Sequence, residues 1–460
     1  MSARRPAAAS SAEPGVERPR TRSFRGGVVL SLLGYALPPA ASLAATPLLA
    51  RALGVDGRGY LAAATAPVLL LVTIGALGLP QALTYFVASG VARVRSLASR
   101  ALLLTAIVGA VLTAVLIALA DLISGGSVPR TDLVVVAALS IVPTLMIGVL
   151  RGIAMGRHQW RAVAWERAVS SIARLAVIIA LAVLGELNLF TAVLCSVYVP
   201  LLGVLPYVAL AVFGRRHEHA PVGDPVGWRR FGGYGLRIWA GSLTGVLLMR
   251  VDQALMAPLS TAFELGLYVV AVNVSEVPLI VNAAFRDVTF ASESQRVDDG
   301  RVVRAAQSSL LLTGAIGLVI CGSLPLWLVP LFGAEFAPAA PLVVLMTAAV
   351  VVGTPGSIAG STLSGRGAPQ LRSWSLAIAC LVNVALVVLL IPVLGAYGAA
   401  LATLVGNLVS SNLNIVWLTR RADLRFLDFY RISPEVLVGA AREIPRLHTR
   451  LRQRGARGRR

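Results

Sequence analysis

The chain of 460 residues is 57% hydrophobic and 13% charged, with a mean hydropathy of +0.79, a balance that excludes an ordinary soluble enzyme. Its formal net charge is +20, and all 41 basic residues are Arg, because the sequence contains no Lys. That charge does not imply nucleic acid as a partner: the Arg residues gather in the tails and between apolar stretches, the pattern of a membrane topology signal.

Residues 1–25 are dominated by Ala, Ser, Pro and Arg and predict a disordered basic tail. From there, apolar stretches long enough to cross a ~30 Å hydrocarbon core follow one another down the chain. In the first half they fall at 27–50, 60–88, 101–123, 132–152, 168–188 and 189–213. A polar loop at 214–231 separates them from a second set at 232–258, 264–291, 305–331, 339–363, 372–394 and 395–419. Residues 420–460 form a second basic tail, with a short helix predicted from Ile432 along the membrane surface. A signal-peptide cleavage near Ala41-Ser42-Leu43-Ala44 would remove the first of these stretches, so it is read as a retained span. Alternating strand patterns are absent, which argues against a transmembrane β-barrel. The expectation is an all-α polytopic membrane protein with about twelve transmembrane helices, six in 26–213 and six in 232–419. Connections are short, the one between the first two spans lying near Arg51–Gly59. The Pro38-Pro39 pair suggests a mid-span bend, although proline is also simply common in membrane helices.

On this topology 36 of the 41 Arg lie on one face and 3 on the other. The positive-inside rule then puts both termini in the cytoplasm of a bacterial cell, with the spans in its inner membrane. Within the sequence there is also a repeat. Gly156-Arg157 and Trp165 recur as Gly365-Arg366 and Trp374; Leu184-Gly185 recurs as Leu394-Gly395; Gly59-Tyr60 is echoed by Gly266-Leu267-Tyr268. Repetition at nearly half the chain length marks two copies of one large unit. With six spans in each copy the repeat is parallel, an architecture of secondary transporters. Both Gly-Arg…Trp frames fall in loops on the basic face, where Arg fixes orientation and Trp anchors at the interface.

Charge inside a span is costly and needs a partner, a cavity or a route to the interface. Arg250 and Asp252 lie in the seventh stretch, two residues apart and therefore facing different ways, with Gln253 beside them. Glu276 lies in the eighth, with Asn273 on the same helical face, and is a partner within reach of Arg250. These charges read either as structural ion pairs or as a site in which Glu276 takes up a proton. Arg174, in the fifth stretch, reads either as a residue snorkelling to the headgroups or as one facing a cavity. Because the first-half spans otherwise carry almost no charge, the expected chemistry sits largely in the second half. Cys195, Cys321 and Cys380 are isolated in apolar spans and read as small buried hydrophobes, not as metal ligands. No phosphate-cradling GxxxxGK[ST] motif is present, and neither a cofactor nor a metal is expected.

The run Leu49-Ala50-Arg51-Ala52-Leu53-Gly54 leading to Gly59-Tyr60, then Leu77-Gly78-Leu79, resembles the start of polysaccharide-type flippases. Arg250-Val251-Asp252-Gln253 followed by Gly266-Leu267-Tyr268 resembles the same family, which belongs to the multidrug/oligosaccharidyl-lipid/polysaccharide (MOP) exporter superfamily. The resemblance covers about residues 26–420. It implies a MATE-like pair of six-helix bundles that moves a polyprenyl-diphosphate-linked oligosaccharide to the outer leaflet by alternating access, driven by an ion gradient. It further implies Arg250, Arg174, Gln253 and Asn273 as substrate-binding residues and Asp252 and Glu276 as ion-coupling carboxylates. Lipid-linked oligosaccharide and membrane lipids are the implied partners, with a polysaccharide polymerase and glycosyltransferases acting beside it. A MATE-like multidrug or cation antiporter is the nearest alternative. An integral-membrane polymerase or glycosyltransferase would want a long extracytoplasmic loop, which the sequence lacks.

Overall fold

A chain this apolar satisfies its backbone polar groups in hydrocarbon most simply by coiling into helix, and the computed structural model is helical, with no strand among the described residues. Those residues are 21–89, 94–124, 128–213, 227–294, 296–431 and 433. The first half comprises α1 (Thr21–Gly75), α2 (Leu79–Ala88), α3 (Val94–Ala118), α4 (Ala120–Ser124), α5 (Val128–Ala138), α6 (Ile141–Gly156), α7 (Trp160–Leu184), α8 (Leu189–Val197) and α9 (Leu205–Phe213). The second comprises α10 (Trp228–Leu259), α11 (Ala262–Ser275), α12 (Leu279–Glu293), α13 (Asp299–Phe332), α14 (Ala339–Gly365), α15 (Pro369–Leu394) and α16 (Ala396–Thr419). The polar loop is described only from residue 227, and most of both tails, including the short helix predicted from Ile432, lies outside the described residues.

Every predicted apolar stretch falls on helix, but the count differs. Among the described residues nine helices are long and apolar enough to cross a membrane, or ten if the bent pair α11–α12 is one span. Part of the difference lies at the first connection. No loop separates the first two stretches: α1 runs through Arg51–Gly59 and turns at Gly54, whose φ of 66° and ψ of −175° are open to glycine. Pro38, Pro39, Pro47 and Pro67 all lie within the helix, and the one residue with non-helical backbone angles inside it is Gly54.

Each half packs its own apolar core. Leu49, Leu61, Val134, Ile141, Ile178 and Val193 are among the buried residues of the first. The core of the second, around Tyr268, Leu328, Phe336 and Val387, also takes in Ala50, Val55 and Ala62 of α1, so the halves share buried surface. They meet most closely where α1 crosses α11. A Cβ on Gly59 would overlap the carbonyl of Ala262, and a Cβ on Gly266 would overlap that of Val55. Gly59 and Gly266 are repeat counterparts, and so are Val55 and Ala262, both pairs being separated by 207 positions. The contact is therefore reciprocal about a pseudo-two-fold axis. A second crossing sets Gly78 on Gly235, flanked by a Tyr85–Tyr234 stack at 4.5 Å. Beside it, the Trp239 indole N–H donates to the carbonyl of Ile74 at 3.0 Å.

The sequence repeat is also a repeat of turns. α6 and α14 end at Gly156 and Gly365, each capped by the following Arg; positive φ falls at His158 and at Gly367, and Trp165 and Trp374 are both about two-thirds exposed. Gly185 and Gly395 both terminate helices with positive φ. Contacts between connections fall on consistent faces. Arg51 donates to the carbonyls of Pro330 and Leu331, while Glu335 accepts from the Val55 N–H at 3.4 Å. At the other end Arg366 bridges Glu293 and Asp299, both at 2.7 Å. Near that end the Asp298 side chain accepts the Arg301 N–H at 2.9 Å, capping α13. That bond holds its carboxyl below the usual range, so the cap persists at neutral pH and is lost only as acid protonates it.

Substitution of either crossing glycine places a methyl group on a carbonyl that cannot retreat. Gly59→Ala and Gly266→Ala are each expected to lower stability by about 1–3 kcal/mol, read as a drop in melting temperature of the detergent-solubilised protein. Gly227→Ala, with open space around it, should leave the melting temperature unchanged.

Candidate functional site

Besides the Arg366–Glu293 bridge, each half holds a polar cluster among its helices. In the second, α10 carries Arg250, Asp252 and Gln253, and a spacing of two residues turns the first two side chains about 200° apart. They have separate partners. Arg250 forms an ion pair with Glu276 at 3.1 Å, both side chains about one-third exposed. Glu276 caps α11 at the point where α11 and α12 bend by 47°. Asp252 is buried to 2% exposure: its carboxylate accepts a short hydrogen bond from the Tyr268 hydroxyl, one from Thr403 Oγ1 at 3.2 Å and one from the Gln253 N–H at 2.7 Å. Gln253 is buried and Asn273 half-buried. The six residues expected at a site thus divide three ways: Arg250 with Glu276, Asp252 with Gln253, and Arg174 in the other half; no hydrogen bond joins Asn273 to any of them.

The first half holds a cavity of about 600 Å³. Arg151, Glu166, Arg167, Ser170, Ser171 and Arg174 line it, with Pro38, Ala41 and Ser42 of α1 on the opposite wall. Glu166, 3% exposed, accepts both forks of Arg151 at 2.8 Å and the Tyr207 hydroxyl at 3.1 Å. This bidentate geometry is the strongest form an Arg–carboxylate pair takes. Arg174 has no such partner: its Nε is buried without a hydrogen bond. It lies some fourteen residues into α7, about 21 Å from the start of the helix, and lines the cavity. On α1, Arg58 is also buried, at 6% exposure, and its Nε is likewise unbonded.

This departs from the expectation that buried charge belongs to the second half. Glu166 read as part of a loop because Trp165-Glu166-Arg167 follows a loop motif, but α7 begins at Trp160 and carries Glu166 two turns inward. Arg58 falls in the stretch expected to connect the first two spans, where the helix instead continues past Gly54. The signal that would have found both is the length of the helix-compatible run around them. Among the described residues no three His, Cys, Asp or Glu come together as a metal site, and the three cysteines are free.

Long apolar helices in two related halves, with charged side chains buried between them, define a multi-pass membrane protein, and its fold is that of known exporters and flippases. The inward-closed structure of the lipid II flippase MurJ matches with a TM-score of 0.69 at 14% identity, covering 89% of this chain and 91% of that one. An inward-facing multidrug resistance MATE family transporter of the MOP superfamily matches with a TM-score of 0.65 at 15% identity, covering 85% and 98%. A MATE structure in the bent conformation gives 0.58 at 16% identity, covering 86% and 95%. Comparison with the curated proteins finds no match. The profile of the family described as polysaccharide biosynthesis protein matches residues 24–290, more than half the chain. The protein belongs to that family.

The Asp252 cluster allows a direct test. Tyr268→Phe removes a donor from a fully buried carboxylate and should destabilise the protein by about 1–3 kcal/mol. Tyr397→Phe, at an exposed residue, is the control for loss of a hydroxyl and should leave stability unchanged.

Proposed function

We propose that the protein is a flippase that carries a polyprenyl-diphosphate-linked oligosaccharide, a precursor of cell-surface polysaccharide, from the cytoplasmic to the outer leaflet of a bacterial inner membrane. The observation that carries this reading is the charge of the first-half cavity. Three arginines line it against one carboxylate, and that carboxylate, Glu166, is already spent on Arg151. Such a lining attracts an anion and repels a cation, which favours a diphosphate headgroup over the cationic drugs of a multidrug antiporter. Arg forks match phosphate oxygens bidentately, and the cavity walls leave the polyprenyl chain to the surrounding lipid. The family match supports the link to polysaccharide. The distribution of Arg supports a cytoplasmic location for both termini.

In this scheme the two halves divide the work. The first binds the anion, and the second couples the cycle to an ion gradient through Asp252, held by Tyr268 and Thr403, with the Arg250–Glu276 pair changing partners between states. Gln253 and Asn273 line the path as hydrogen-bonding side chains. A polymerase and glycosyltransferases would act before and after it on the same lipid-linked chain.

Arg174→Ala is expected to abolish export of surface polysaccharide while the protein remains in the membrane at its normal level, with Arg174→Lys intermediate. Losing a charge-assisted fork corresponds to about 1.5–3 kcal/mol, or roughly 10- to 100-fold in binding. Normal export by the Ala variant would remove Arg174 from the substrate path. In proteoliposomes, Asp252→Asn should eliminate the response of translocation to an imposed ion gradient and leave equilibrium exchange between leaflets intact. Unchanged gradient dependence would remove Asp252 from the coupling step.

A further inference from the structure

α16 carries a line of polar side chains that starts at Asp252. Thr403, Asn407, Ser411 and Asn414 follow one another at intervals of four, four and three residues, which sets them on one face of the helix. Thr403 Oγ1 lies 3.2 Å from the Asp252 carboxylate. Beyond it the face rests on α14, where Gly353, Gly356 and Gly360 lie against Asn407, Ser411 and Asn414 in turn. Asn407 donates to the Ala349 carbonyl at 3.1 Å, and Ser411 Oγ accepts the Gly356 N–H at 3.0 Å. Ser411 Oγ is also 3.1 Å from the hydroxyl of Tyr430, a half-buried residue just after the one-turn 3-10 helix Phe426–Phe429. From Thr403 to Asn414 the line covers about 16 Å of helix, towards the end that carries Arg420 and Arg421.

Helix–helix adhesion accounts for part of this line only. An amide that holds two membrane helices together bonds across them, as Asn407 does. Asn383 of α15 does not: it is 0% exposed, and neither its Oδ1 nor its Nδ2 has a hydrogen bond. Its side chain lies against α16, where a Cβ on Gly406 would stand 3.3 Å from Asn383 Nδ2 and 3.2 Å from Leu248 Cδ1. Leu248 shares a face of α10 with Asp252, one turn or about 6 Å nearer the basic loop. Asn383 is thus the next polar group past Asp252 in that direction. At the far end Asn414, 3% exposed, likewise keeps its Oδ1 unbonded. A buried amide with donor and acceptor both unmet is costly, and a water molecule meets both. A metal cation meets the acceptor and opposes the donor.

We propose that water held by Asn383, Asn407, Ser411 and Asn414 forms a proton path between Asp252 and the cytoplasmic face, so that the ion exchanged at Asp252 is a proton. The inference rests on the coupling role given to Asp252 above and adds the ion and its route. The Asp252 carboxyl gives its proton to the first water and becomes a carboxylate. The excess proton then passes from water to water along α16 and leaves near Tyr430, with no change of oxidation state. The side chains along the route are all neutral, so none of them traps the proton. The titratable groups around Asp252 are few. α11 supplies the Tyr268 hydroxyl, while Arg250 on α10 itself points away to Glu276. α1 brings apolar Ala50, Val55 and Ala62 to the core that holds Tyr268, and Cys380 of α15 packs with Leu248.

The test uses the full-length protein in phosphatidylcholine nanodiscs without any saccharide. Infrared spectroscopy follows the protonated-carboxyl band that Asp252→Asn removes, and the rate at which its proton exchanges on transfer to heavy water. Asn383→Leu is expected to slow that exchange roughly tenfold or more. Its melting temperature should stay the same or rise, because the variant deletes two unmet polar atoms. Thr105→Val, which deletes a buried unbonded hydroxyl in the first half, should exchange as wild type does. Exchange at the wild-type rate in folded Asn383→Leu, or equal slowing by Thr105→Val, overturns the path. The absence at every pH of a carboxyl band dependent on Asp252 overturns the proton. Should Asn383→Leu fail to fold, Asn414→Leu replaces it, with the same slowing expected and a wild-type rate overturning the path. Saccharide translocation is measured separately in proteoliposomes. Exchange that depends on Asn383 in a protein that moves no lipid-linked saccharide keeps the path and removes the transport reading. Translocation driven by a sodium gradient and indifferent to a pH gradient keeps transport and overturns the path.

Discussion

Where α1 crosses α11, two backbones touch with no side chain between them, and the rest of the molecule is arranged around that closeness. Helices in a bilayer gain little from burying apolar surface against one another, because the surrounding lipid is equally apolar, so close packing has to hold them. Glycine at 59 and at 266 lets each helix rest on the carbonyl of the other. The shared core of Ala50, Val55 and Ala62 with the second half follows from this approach, as does the reach of Glu335 to the Val55 N–H. The bend at Gly54 precedes the crossing, and Arg58, four residues beyond it, is buried.

Around this symmetric joint the chemistry is not symmetric. Repeat displacements of 207 to 210 positions pair Asp252, Tyr268 and Thr403 with Ala45, Leu61 and Val193, all buried in the apolar core of the first half. In the opposite direction, Arg151 and Glu166 pair with Gly360 and Ser375, and Arg174 pairs with Asn383. Each half has given up polar groups where the other keeps them. The arginine-lined cavity and the buried Asp252 cluster therefore lie in different halves of the chain, on either side of the glycine crossing.

Much of this was legible in the sequence. The apolar stretches located the helices because hydrocarbon leaves a backbone few other options, and the Gly-Arg…Trp frames marked equivalent turns at Arg157 and Arg366. The pairing of Arg250 with Glu276 followed from the cost of leaving either alone. Arg58 and Glu166 were hidden for a common reason. Both lie at the edges of apolar stretches, where hydropathy reads an arginine or glutamate as the end of a span, whereas the helix continues and carries the charge inside. Hydropathy also merges or discounts helices: α10, with Arg250 and Asp252 in its apolar part, does not meet the length and hydropathy test for a span. Nor does linear spacing show that Asp252 faces Thr403, a residue 151 positions away.

The reciprocal glycine contact has an evolutionary implication. Gly59 on Ala262 and Gly266 on Val55 is what two copies of a single six-helix bundle would form if each presented the same patch to the other, an isologous interface. A half-length ancestor assembled through this contact would have been bound to keep its two subunits identical, so a cationic cavity in one meant a cationic cavity in both. Fusion of the two copies into one chain lifts that requirement everywhere except at the joint. There the geometry still demands glycine on both sides, while the buried polar groups elsewhere are free to differ between the halves.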